Sequence, residues 1–88
     1  MVFEFDPKKA AANLRKHGVS FAEAEPVFYD DRALTREDTE ATGEVRFLTV
    51  GADALGRILT VCWTERGQST RLISARLASA HERTCYES

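Results

Sequence analysis

Eighty-eight residues make one domain with a single modest core. An apolar fraction of 43% beside 30% charged residues describes a soluble globular chain, and there is no run of about 18 apolar residues to span a membrane. The formal net charge of −2 argues against indiscriminate nucleic-acid binding, so the distribution of charge matters more than its total. The start, MVFEFDPKK, lacks the basic-then-apolar order of a secretory signal. Cys62 and Cys85 have no CxxC spacing and are expected as reduced thiols, which places the protein in the cytoplasm.

Val2-Phe3-Glu4-Phe5 alternates well enough for a short edge strand. Asp6-Pro7 then opens a helix, Asp as N-cap and Pro at the first helical position. Lys16, His17 and Gly18 close it, with cations at the negative end of the macrodipole and Gly at the left-handed position. Ser20-Phe21-Ala22-Glu23 is a capping box for a second helix, which Pro26 limits or kinks before Tyr29-Asp30-Asp31. Residues 30–44 read as an acidic loop with room for a short strand at Ala33-Leu34-Thr35. Val45–Val50 reads as a clearer strand.

The stretch from Gly56 to Ala78 reads as a β-hairpin. Ile58, Leu59, Val61, Cys62 and Trp63 form one arm and Leu72, Ile73 and Ala75 the other, around Glu65-Arg66-Gly67-Gln68. Ser79–Glu82 repeats the capping box and starts a last helix through Tyr86. The order β-α-α-β-β-β-α gives an α+β fold in which a small antiparallel sheet carries helices on one face. The other face is left as a binding surface.

Charge is unevenly spread. Residues 21–44 hold eight acids against Arg32 and Arg36, whereas the hairpin holds Arg57, Arg66, Arg71 and Arg76 against Glu65 alone. Strands seldom need Arg to fold, and Arg is suited to bidentate contact with phosphate. The same residues serve equally well as ion-pair partners for the acidic segment. Arg71 and Arg76 are five apart, so strict alternation puts them on opposite faces unless a bulge intervenes or Arg76 lies past the strand end. No metal signature, phosphate-binding glycine loop or nucleophile elbow is present. His17 has the chemistry of a proton carrier near neutral pH or of a structural helix cap. Glu44 suits a general base or a salt bridge, and Tyr86 a phosphate donor or a core residue. Trp63 and Phe47 read as core rather than as stacking platforms.

FEFD with Lys9, Asn13 and KHGVSF, then GEVRFLTVG, GR, TERG, RLISARLA and the closing Glu82-Arg83 with Tyr86, together resemble the BrnT family of type II toxins. The resemblance runs in order over nearly the whole chain. It implies a RelE-like ribonuclease fold, metal-independent RNA cleavage that arrests translation, and no cofactor. It also implies a BrnA-like antitoxin with a ribbon-helix-helix part, two toxin chains per complex, and contact with operator DNA only through the antitoxin. It places His17, Glu44, Arg71 and Arg76 in the catalytic site, with Lys16, Arg46, Arg66 and Tyr86 binding RNA. Such chemistry needs a group to activate the 2′-hydroxyl, cations for the phosphoryl oxygens and a proton for the leaving 5′-oxygen. His17 or Glu44 suits the first task, Arg71 and Arg76 the second, and His17, Lys16 or Tyr86 the third. The alternative is a non-catalytic protein-binding module whose basic hairpin engages only a partner. A DNA-binding repressor is disfavoured, because no helix-turn-helix with a basic recognition helix is visible.

Overall fold

The hairpin forms the middle of the sheet. In the computed structural model, which describes residues 1–88, β4 (Ile58–Arg66) and β5 (Ser69–Leu77) pair antiparallel around Gly67, whose φ of 58° suits glycine. β3 (Phe47–Ala52) pairs antiparallel with β4, and β2 (Leu34–Glu37) pairs antiparallel with β3. β1 (Val2–Glu4) joins the far edge of β5, Val2 opposite Ser69 and Glu4 opposite Arg71, and it runs parallel. The sheet order is β1-β5-β4-β3-β2.

Two expectations are corrected by this topology. The sheet is mixed rather than wholly antiparallel. Short links enforce antiparallel pairing from β2 to β5, but β1 meets a strand far away in sequence, with ample chain for a parallel crossover. The acidic segment, expected as loop with room for a short strand at Ala33-Leu34-Thr35, contributes a full strand, β2, that ends two residues further along. Its four residues are all exposed, so no apolar alternation announced it. It is held instead by its ladder with β3 and by a 2.8 Å hydrogen bond between the Thr35 and Thr49 hydroxyls.

The helices begin and end on the residues that local chemistry selects. In α1 (Pro7–His17), the Asp6 carboxylate accepts from the Lys8 N–H at 2.9 Å, and Gly18 closes the helix at φ 70°. α2 (Phe21–Ala24) has both halves of its Ser20/Glu23 capping box, then tightens into a 3₁₀ turn over Glu25–Tyr29. Pro26 has no N–H to continue the α pattern there. α3 (Ala80–Glu87) starts on the Ser79/Glu82 capping box.

Val19, Phe21, Ala24 and Val27 from the helical side meet Leu59, Val61, Leu72 and Ala75 from β4 and β5, forming one buried cluster. Phe3, Phe28, Trp63 and Phe47 extend it as a row of rings, Phe28 to Trp63 at 5.6 Å and Trp63 stacked on Phe47 at 4.7 Å. Trp63 Nε1 donates to the Thr49 hydroxyl at 2.8 Å. Both aromatics thus serve packing, as the sequence suggested.

Thr60, Cys62 and Thr64 alternate with these core residues and face the other way. That second face is where α3 lies: Glu82 accepts a hydrogen bond from the Thr60 hydroxyl at 2.9 Å. The expectation that every helix packs on one face is therefore corrected. Leu34, Leu48 and Val50 point to the second face, and α3 folds back over this side of the sheet while leaving a pocket between. No helix is long and apolar enough to cross a membrane.

Candidate active site

Pairing between β4 and β5 shifts by one residue at the centre of the hairpin. Cys62 lies opposite Ser74, whereas its neighbour Trp63 lies opposite Leu72. Ile73 is the extra residue of a β-bulge. Arg71 sits opposite Thr64 and Arg76 opposite Thr60, so both arginines lie on the face of Thr60, Cys62 and Thr64. Without the bulge their five-residue spacing would have divided them between faces.

Two depressions meet at this bulge. One, of about 530 Å³, is walled by Arg36, Arg46 and Arg76, with Ile73 and Ser74 at one side and Asp38 and Glu40 at the other. The second is a shallower hollow of about 220 Å³ in which Lys9, Lys16 and His17 of α1 meet the same Ile73 and Ser74. α1 reaches this place because β1 ends at Glu4, opposite Arg71, and leaves the rest of the β5 edge uncovered. Asn13 takes over that edge. Its amide accepts from the Ala75 N–H at 3.0 Å and donates to the Ala75 carbonyl at 2.8 Å. His17 and Lys16 are carried on the next turn.

The charges are mostly paired. Arg76 makes a bidentate pair with Glu82, with contacts of 2.7 and 3.0 Å. Glu82 also accepts from Thr60 and from the Ser79 N–H. The Arg76 guanidinium, followed by these other donors, lowers the Glu82 carboxyl to about 2, and the same pairing raises Arg76. Arg71 lies 3.3 Å from Glu4. Glu44 lies 3.6 Å from Arg46 and 3.7 Å from Arg66, so it joins two of the expected RNA-binding residues rather than the bulge. Tyr86 is turned to Asp30, to which its hydroxyl donates, with Arg32 over its ring at 5.5 Å. That bond lowers Asp30 and raises Tyr86. Arg36 has no carboxylate within 4.0 Å. Burial raises the Cys62 thiol, which keeps it protonated near neutral pH.

The structure thus brings Lys16, His17, Arg46 and Arg76 around one bulge, with Arg71 further along the same face. It sets Glu44 and Arg66 beside the groove, joined to each other, and Tyr86 against Asp30. Arg36 lies one residue past the short strand that the sequence has room for; with β2 extended to Glu37, alternation points Arg36 to this face. Ser74 was missed because a bulge leaves no mark in a strand without Gly. Glu82 was read as a helix cap, which it is, but its grip on Arg76 depends on tertiary structure. No group of three or more His, Cys, Asp or Glu side chains is placed to hold a metal ion.

The Glu82 pairing has a pH signature. Its folded carboxyl titrates below its ordinary 4.5, so the unfolded chain binds more protons between those values and stability rises with pH there. The stabilisation is complete above about pH 4.5 and is lost as pH falls toward about 2. Arg76 is 38% exposed, and screening limits the contribution to about 2 kcal/mol. Glu82→Gln should flatten that part of the stability–pH curve in urea titrations. An unchanged slope would show that Glu82 does not anchor α3.

Residues 5–82 match the family described as "Ribonuclease toxin, BrnT, of type II toxin-antitoxin system". No curated protein matches the sequence significantly. Among solved structures, the crystal structure of the Brucella abortus ribonuclease toxin, BrnT, is similar with a TM-score of 0.69 at 23% identity, covering 90% of this chain and 99% of that one. That likeness supports the fold, and the family match extends over most of the chain. The chain belongs to the BrnT family of ribonuclease toxins of type II toxin-antitoxin systems.

Proposed function

We propose that this chain cleaves RNA internally without a metal ion, arrests translation by doing so, and is silenced by direct binding of an antitoxin. The observation that carries the reading is the bulge at Ile73. It aligns Arg71 with Arg76 and sets Lys16 and His17 across Ser74 from the arginine groove. In the proposed reaction the 2′-oxygen attacks the adjacent phosphorus as its proton leaves. The bond to the 5′-oxygen breaks, and that oxygen takes up a proton. His17 is the proton carrier that the placement favours, because Glu44 is held by two arginines. Arg76 and Arg46 receive the charge that develops on the phosphoryl oxygens, and Arg71 holds the strand further along. Lys16, which shares the hollow with His17, offers a cation for the leaving oxygen. Tyr86, committed to Asp30, serves the fold and reaches RNA only if that bond opens.

The partner in this reading is a BrnA-like ribbon-helix-helix antitoxin that joins two toxin chains and covers the groove. The acidic wall of Asp38 and Glu40 gives a basic partner an electrostatic approach, with an on-rate that falls with salt. One observation favours the non-catalytic alternative: Arg71 and Arg76 already have carboxylate partners. Purified chain incubated with RNA in excess EDTA separates the two readings. Cleavage with 2′,3′-cyclic phosphate ends, suppressed by the co-expressed neighbouring reading frame, is expected. Cleavage only with added Mg²⁺, 5′-phosphate products or intact RNA would reject the mechanism.

A further inference from the structure

The second sheet face carries another cavity beside the arginine groove. It measures about 320 Å³ and lies between α3 and the β2–β3 ladder. Leu34, Leu48 and Val50 make its apolar floor, and His81, Cys85 and Glu82 of α3 stand at its rim, the Glu82 carboxylate held by Arg76. Arg36 and Leu48 line both this cavity and the arginine groove, so the two adjoin. That guanidinium has no carboxylate within 4.0 Å, whereas Arg46 and Arg76 do. No residue of α3 is fully buried, so the helix roofs the cavity without filling it.

We infer that this cavity is a base-specificity subsite that takes one unstacked nucleobase of the RNA. The inference rests on the ribonuclease reading and names how that site chooses its substrate. An apolar recess of this volume, with a few polar groups at its edge, suits one small planar group. Single-stranded RNA presents its bases splayed from the backbone, to be stacked on His rings or Arg planes and hydrogen-bonded at their edges. His81 and Arg36 supply both, and Arg36 also meets the phosphate that joins this nucleotide to the one in the arginine groove. The charge follows the same logic: the free cation stands where the backbone passes, and the neutral floor where the base enters.

The test uses the four ribonucleoside 5′-monophosphates and ribose 5-phosphate, titrated into the isotope-labelled full chain and followed by amide NMR. Nucleotides should shift Arg36 together with Leu34, Leu48, Val50 and His81, and one base should bind severalfold more tightly than the others. Ribose 5-phosphate should shift Arg36 and spare the floor. Equal shifts from ribose 5-phosphate and the nucleotides, or shifts confined to the arginine groove, would overturn the subsite. Leu34→Trp fills the recess from an exposed strand position. It should abolish the nucleotide shifts and raise KM for RNA about tenfold with little change in kcat, the low end of what one stacked base contributes. An unchanged KM in a folded variant that no longer binds nucleotides would remove the pocket from substrate reading. A chain that binds nucleotides here but leaves RNA intact keeps the subsite and refutes the ribonuclease. A chain that cleaves RNA with a silent pocket does the reverse.

Discussion

Arg76→Ala is expected to lower RNA cleavage by about 10²- to 10³-fold, the usual loss when one donor to a developing oxyanion is removed. The size follows from geometry. Arg76 lies on the groove face because of the bulge, and its planar fork matches two phosphoryl oxygens as a lysine would not. The complication is Glu82, which already occupies that fork. Phosphate must compete with a carboxylate, or approach the guanidinium edge that Glu82 leaves open. Alanine also strands the Glu82 carboxylate with only Thr60, Ser79 and water, so the variant should lose about 1–2 kcal/mol of stability as well. Activity loss alone is therefore ambiguous. The double variant Arg76→Ala/Glu82→Gln removes the stranded charge but keeps an acceptor for Thr60 and the Ser79 N–H, and it should recover much of the thermal stability without recovering cleavage. If the recovered double variant cleaves RNA at the wild-type rate, Arg76 is an anchor for α3 and nothing more. Arg76→Lys keeps the charge but not the fork, and it should remain well below wild type in kcat.

How much of this was legible in the sequence depends on how local each signal is. The starts and stops of the helices were readable, because Asp6, Gly18, Ser20 and Ser79 act within a turn of themselves. The hairpin was readable from its β-branched arms and Gly67. β2 was legible only as room for a short strand at Ala33-Leu34-Thr35, since an exposed edge strand has no buried side to impose alternation. The parallel partner of β1 was not, since Val2 and Ser69 are joined only by the tertiary fold. The ion pairs divide in the same way. Glu44 lies two residues from Arg46, but Arg71 and Glu4 are 67 residues apart. The candidate site is the least local feature of all. His17 and the arginines were nameable as residue types with suitable chemistry, and the resemblance gathered them. Only the register shift at Ile73 says which of them share a surface, and a register shift depends on both strands at once.

Asn13→Ala is expected to cost about 3 kcal/mol, because three buried backbone groups lose their partner together. Asn13 is 6% exposed, and its amide donates to the carbonyls of Val19 at 2.9 Å and Ala75 at 2.8 Å while accepting from the Ala75 N–H at 3.0 Å. It acts as a one-residue extension of β1 along the β5 edge. Alanine leaves room for water at that edge but no donor in the right place. For a chain of this size the loss corresponds to a fall in Tm of about 15 °C. Asn13→Asp is the sharper probe. A carboxylate still accepts from the Ala75 N–H but faces two carbonyls without a proton to offer, so it should be worse than alanine at neutral pH. Burial against two carbonyls raises this carboxyl, and protonation restores one donor, so the deficit relative to wild type should narrow as pH falls from neutral toward the ordinary carboxyl range and level off below it. The same bond fixes α1 against the bulge, one turn before Lys16 and His17. Cleavage by the folded fraction of Asn13→Ala should therefore fall as well, through kcat rather than KM, because in the proposed reaction proton transfer depends on the placement of His17. A folded Asn13→Ala that keeps wild-type kcat would show that α1 does not position His17 for the proposed proton transfer. An Asn13→Asp no less stable than alanine at pH 7 would show that the paired carbonyls of Val19 and Ala75 are satisfied by other means.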